Sequence, residues 1–332
     1  MAPGPSSAPV KKPAASRAQT LAVGFLASLC VYIALVRVFD IAPASLAMAW
    51  KSASLPLLAV ALVFSVVFYV FAGADKLYRV LKQLRPLGFS LTYGEVLRLR
   101  LGAGPLRALL PVDAGEVFNI LFYWRHKNVS VDFASGASMF DKGLNLIGST
   151  FWLCTGLVLM GAQSPGARVA ACLGLGAVYG LFFFATPLHA ACIRAAGRVH
   201  ASLGRFVAGV LAPLGQCPPG KKILFCCYGV VFQVRPLVVC YLLFASFGLW
   251  PEPGRFLALV SLAVFAGHLP TAAGMGPREA VILVSFSSMG SPATLLCIGF
   301  LQSLFVLVIP MLAGLPWVFW FLRRISGRQI HP

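Results

Sequence analysis

Six stretches of this chain, at roughly 20–38, 54–73, 134–162, 167–189, 222–249 and 293–322, are predominantly apolar. Each reaches about the 20 residues that a helix needs to cross a hydrocarbon layer, or exceeds it. In such a layer the backbone has no water to bond, so a spanning segment must satisfy its own N–H and C=O groups as a helix. The chain as a whole agrees. It is 59% hydrophobic with a mean hydropathy of +0.86. Charged residues make up 11%, against about 25% in a soluble domain. The sequence therefore predicts an all-α, polytopic integral membrane protein.

Two further segments, roughly 91–125 and 254–291, are too broken to be ordinary spans. Each contains the same pattern. The first copy is Leu110-Pro111-Val112-Asp113-Ala114-Gly115, followed by Glu116; the second is Leu269-Pro270-Thr271-Ala272-Ala273-Gly274, followed by Met275-Gly276-Pro277-Arg278-Glu279. Pro111 and Pro270 lie 159 residues apart, about half the chain. Proline and glycine break helices, and broken helices carrying charge at membrane depth persist only where protein or a water-filled cavity covers them. Paired breaks in the two halves of a chain mark the binding site of transporters built from duplicated units. A coincidental match in a Leu-, Ala-, Gly- and Pro-rich chain is the alternative.

Loop charge orders the pieces independently of that match. Basic residues cluster in the N-terminal tail, at Lys76, Arg79, Lys82 and Arg85, at Arg125 and Lys127, at Arg194 to Lys222, and at Arg323, Arg324 and Arg328. The loops near 39–53, 161–168 and 250–255 are poorer in positive charge. The positive-inside rule places the basic sets in the cytoplasm. That assignment requires 91–125 and 254–291 each to enter and leave on one face, from opposite sides. The expected architecture is six full spans plus two opposed re-entrant hairpins, an inverted repeat with halves at roughly 20–189 and 190–325. Residues 1–19 read as a disordered basic tail and 326–332 as a cytoplasmic tail, both termini inside. Residues 21–36 read as an uncleaved first helix rather than a signal peptide. The stretches 75–90 and 190–222 read as interfacial, the first with Leu77, Val80, Leu81 and Leu84 at helical spacing.

Composition also excludes function classes. The 27 basic residues outnumber 9 acids, for a net charge of +18, yet the aromatics sit in apolar spans rather than on a polar stacking face. Nucleic acid is therefore not the expected partner; anionic lipid is. Nine cysteines without spacing pattern argue against a disulfide framework or a zinc site. The five histidines have no ligand spacing either, so no metal and no cofactor is expected. No metalloprotease, nucleophile-elbow or P-loop motif is present.

The chemistry-bearing candidates are charges in or beside apolar sequence: Arg107, Asp113, Glu116, Asp141, Lys142, Arg278 and Glu279, with Arg98 and Arg100 nearby. Each would be costly facing lipid and is expected to face inward. Two readings stand: internal salt bridges that hold the hairpins, or a site for an anionic headgroup. Guanidinium forks match phosphate oxygens, and restarted helices offer free N–H groups. Gly115, Gly274 and Gly276 would let the backbone approach a ligand closely.

The segments Leu110–Glu116, Asp141-Lys142-Gly143-Leu144-Asn145 and Gly274–Glu279 together resemble the lysylphosphatidylglycerol synthase transmembrane family, also called the flippase-like domain family. Its motifs are P-x-x-x-G-E, then E-R-x-x-D, then a late G-x-G-x-R-E, and the likeness covers roughly 20–322. Asn119 stands where the family has Arg, and the middle motif becomes Asp141, Lys142 and Asn145, which marks a divergent member. Larger relatives add a soluble aminoacyltransferase domain; lysyl transfer is not expected from this chain alone. The resemblance implies a bacterial inner-membrane protein that moves an anionic phospholipid or a polyprenyl-phosphate lipid between leaflets. Arg107, Lys142 and Arg278 would hold phosphate, and the acids would position them or couple to protons. The rival readings are a membrane-embedded transferase on a lipid-linked substrate, with Asp113 or Glu116 catalytic, and a non-transporting scaffold for a lipid or cell-envelope pathway enzyme.

Overall fold

A computed structural model describes residues 15–83, 90–108, 116–160, 165–183, 185–269, 271 and 274–326, and among them the only regular structure is helical. In chain order the helices are α1 (Ala15–Val38), α2 (Pro43–Ser52), α3 (Leu55–Gln83), α4 (Tyr93–Ala108), α5 (Glu116–Lys127), α6 (Val131–Leu159), α7 (Pro165–Phe183) and α8 (Ala185–Val199). They continue as α9 (Ala201–Gln216), α10 (Pro219–Phe232), α11 (Val234–Ser246), α12 (Pro253–Ala266), α13 (Pro277–Ser285), α14 (Pro292–Ser303), α15 (Ile309–Leu312) and α16 (Leu315–Ile325). A π-helical segment, Leu304–Val308, joins α14 to α15. Helix α1 begins inside the stretch expected to be tail.

Among the described residues three runs are long and apolar enough to cross a membrane: α3, α10 with α11, and α14 through α15. A fourth follows if Phe25–Val38 and α2, bent by 94° at the break, count as one. Asp40, with φ of 47°, sits in that bend. Helix α6 equals α3 in length at 29 residues, but carries Asp141, Lys142 and Asn145 at its middle.

Both broken segments form helix pairs that pack on each other, α4 with α5 and α12 with α13. Their lengths are 16 and 12, then 14 and 9 residues, each short of the roughly 20 needed to span. The turn of the first pair lies outside the described residues.

Three expectations change. The stretch read as interfacial from residue 75 continues α3 to Gln83, because Leu77, Val80 and Leu81 turn into the core. The span at 222–249 is interrupted at Gln233, three residues before Pro236, whose ring and missing N–H break the ladder. The last span, 293–322, is two units separated by Ala313 and Gly314. Helix α16 then folds over α4, with Gly314 and Gly102 allowing backbone contact where a Cβ would collide with Leu101 and with Trp317 and Phe321.

Helix α6 is the central post, packed against α7, α9, α10 and α12. Small residues set those approaches. A Cβ on Gly136 would strike the Val210 carbonyl of α9, one on Gly148 the Gly229 carbonyl of α10, and one on Gly156 the backbone of Ala258 in α12. In lipid, where no hydrophobic force joins helices, such backbone proximity supplies the association energy.

Candidate functional site

The two halves of the molecule meet around one phenyl ring. Phe232 ends α10 at the Gln233 break, and three cations surround it: Lys76 Nζ at 4.9 Å, Arg100 Cζ at 5.2 Å and Arg235 Cζ at 5.7 Å from its centroid. Tyr69 lies alongside, 4.4 Å from Arg100 and 4.9 Å from Arg235. Gly73 makes the room, since a Cβ there would overlap the Arg100 guanidinium.

These cations differ in what answers them. Lys76, 2% exposed, pairs with Asp141 at 2.8 Å and donates to Asn145 Oδ1 at 2.5 Å. The middle motif of α6 thus supplies both partners. Arg100 and Arg235 find neutral acceptors. Arg100 Nε donates to the Tyr69 carbonyl at 3.1 Å, and Arg235 Nη2 to the Val306 carbonyl at 3.2 Å. Val306 is free to accept because the residue four positions on is Pro310, which has no N–H. The π segment exposes the preceding carbonyl as well: Ile309 N–H goes to Leu304, and Phe305 O takes the Ser65 hydroxyl at 2.7 Å. Single-turn π segments recur at functional sites. Arg235 is 6% exposed, yet its Nε and Nη1 have no hydrogen-bond partner.

A second cluster sits where α13 restarts. Gly274 and Gly276 have φ of 72° and 101°, a region that side chains with a Cβ rarely adopt. At Gly274 a Cβ would also collide with the Gly267 carbonyl. Glu279 is fully buried; its Oε2 accepts the Gly276 N–H at 2.6 Å and its Oε1 the Ser303 hydroxyl at 2.5 Å. Arg278, 6% exposed, points elsewhere. It lies against Gly267, and its Nε and Nη1 have no hydrogen-bond partner. Tyr32 lies beside both side chains, and Arg235 sits within range of the charges on Arg100 and Arg278. Gln302, next to Ser303, is fully buried with neither amide atom bonded.

A third cluster opens α5. Glu116 accepts from Asn119 Nδ2 at 2.6 Å and Ser138 Oγ at 2.7 Å, and stands 3.6 Å from Lys142 Nζ. Asn119, which replaces the family arginine, is thereby a partner of Glu116.

The sequence-predicted residues are brought together in part. Glu116 and Lys142 meet, Asp141 turns to Lys76, and Gly274, Gly276, Arg278 and Glu279 form their own group. Asp113, Gly115 and the Arg107 side chain lie outside the described residues. Sequence reasoning assigned Lys76 to a cytoplasmic loop and passed over Arg235 and Gln302. Arg235 carried a signal: an arginine before a proline, inside a long apolar run.

The arrangement is that of a polytopic helical membrane protein in which Arg100, Arg235 and Arg278 are buried without an acidic ion-pair partner among the described residues. The sequence matches the lysylphosphatidylglycerol synthase TM region over residues 21–314, and the chain belongs to that family, membrane domains with a lipid-related role. No curated protein matches the chain.

Proposed function

We propose that this protein translocates an anionic lipid between the leaflets of a bacterial inner membrane, the headgroup passing the cationic interior while the acyl tails stay in the bilayer. One observation carries the reading. Arg100, Arg235 and Arg278 are buried at apolar depth without an acidic ion-pair partner among the described residues. A buried charge without a counter-charge costs several kcal/mol, and arginine cannot escape by losing its proton. A visiting anion supplies what the chain withholds. Because the same groups are needed only while the headgroup passes, a site half-satisfied by carbonyls and ring faces holds it without trapping it.

The flanking acids fit a supporting role. Asp141 fixes Lys76, and Glu279 fixes the Gly276 turn from which Arg278 projects. Both termini are cytoplasmic in this reading, and the two hairpins enter from opposite faces. The protein acts as a carrier rather than a catalyst. Reconstitution in liposomes with lipids fluorescent in one leaflet tests the proposal. Loss of label accessibility over time should require the protein and should fall in the Arg235→Gln and Arg278→Ala variants. Chemical turnover of a lipid-linked substrate in detergent, where leaflets do not exist, would replace transport with transfer.

A further inference from the structure

We infer that Arg100 and Arg235, over the faces of Tyr69 and Phe232, form a binding site for a dianionic phosphate: a phosphomonoester or a diphosphate, as opposed to a phosphodiester. The inference rests on the lipid-translocation reading and narrows its substrate.

Charge accounting at the Phe232 ring carries the argument. Of the three cations there, Lys76 is matched by Asp141 at 2.8 Å. Among the described residues, Arg100 and Arg235 have only a backbone carbonyl each and shared ring faces. Their distances to the Tyr69 centroid, 4.4 and 4.9 Å, hold the guanidinium carbons no more than about 9 Å apart. Two fixed like charges so close, away from water, repel strongly. Neither can neutralise itself by releasing a proton. Arg278 belongs to the separate cluster at the α13 restart and does not enter the count at the Phe232 ring. Among the described residues the excess at the ring is therefore two positive charges, and two negative charges balance it.

Geometry agrees with the charge count. Arg235 leaves Nε and Nη1 with no hydrogen-bond partner although the residue is 6% exposed, its Nη2 being held by the Val306 carbonyl. The two free N–H groups face different sides of the guanidinium, and each can make a charge-assisted hydrogen bond to a phosphate oxygen. A diester headgroup would leave one guanidinium unanswered, and a diester bearing an aminoacyl ammonium would add a third cation to the two. The site disfavours the aminoacylated lipid after which the family is named.

Competition binding on the full-length protein in maltoside detergent tests the assignment. The reporter is dioleoyl phosphatidic acid tagged on an acyl chain; the competitors are unlabelled phosphatidic acid, phosphatidylglycerol of the same chains, and inorganic pyrophosphate. Phosphatidic acid should compete at least tenfold better than phosphatidylglycerol, and Arg235→Gln should erase that difference. Where Arg235→Gln fails to fold, Arg100→Gln gives the same reading, and Arg235→Lys, which keeps the charge, should retain part of the preference. Equal competition by the two lipids overturns the dianion site and leaves anionic-lipid transport standing. If pyrophosphate alone competes as well as phosphatidic acid, the dianion site stands and the lipid reading beneath it falls. A wild-type preference that survives in both glutamine variants overturns the assignment to these arginines.

Discussion

At the scale of single residues, Arg278 and Glu279 show how adjacent charges of opposite sign can serve different ends. The carboxylate of Glu279 is spent on the Gly276 N–H and the Ser303 hydroxyl, so it does not need its neighbour. Arg278→Ala should therefore leave the fold intact in a detergent melt and abolish liposome transport, while Arg278→Lys retains part of it. The double change Arg278→Met with Glu279→Gln should remain inactive; normal transport by that variant would reduce Arg278 to a counter-ion. Lys76 and Asp141 are the opposite case, a pair that exists for structure. Lys76→Met alone should cost about 3–5 kcal/mol of unfolding free energy by stranding Asp141, and adding Asp141→Leu should recover most of it. Sequence reading found Arg278 because glycine and proline flag it. It misplaced Lys76, whose basic-amphipathic surroundings mimic an interfacial helix and whose partner lies 65 residues away.

Among the elements, the breaks matter more than the helices. The hairpin pairs were legible, because Pro and Gly in apolar sequence cannot continue a helix and the adjacent charges cannot face lipid. The interruption at Gln233 and the π segment were not. A proline inside an apolar run reads as a tolerated kink, and which carbonyl it frees gains meaning only when a donor such as Arg235 arrives from another helix. Pro310→Ala restores an N–H four residues after Val306 and sets it in competition with Arg235. The variant should melt at a higher temperature than the parent and transport more slowly. Unchanged transport would show that the Arg235–Val306 bond is incidental. Small-residue contacts make a separate forecast. Gly148→Leu, which forces α6 away from Gly229, should cost about 1–3 kcal/mol or more through overpacking, seen as a lower melting temperature with weaker lipid binding.

For the whole molecule, the expected arrangement of two hairpins from opposite faces makes a direct demand on accessibility. In a cysteine-free background, Ser130→Cys, just beyond α5, should label from the cytoplasmic side, and Ser287→Cys, just beyond α13, from the outer side. Both are exposed positions. Labelling of both from one face rejects the opposed arrangement. The fold class and family were readable from hydropathy and three short motifs. The cationic centre was not, because it is assembled from α3, α4 and α11, whose sequences carry one basic residue each toward it and no shared pattern. That dispersal bears on how the protein is made. Arg235 lies near the middle of the 28-residue run Pro219–Ser246, where an arginine disfavours insertion by about 2.5–3.5 kcal/mol. Tyr69, the ring it leans on, belongs to a helix synthesised more than a hundred residues earlier. The nascent chain thus delivers the cushion before the charge, and a ribosome-bound intermediate lacking α3 should leave the later segment stalled outside the bilayer.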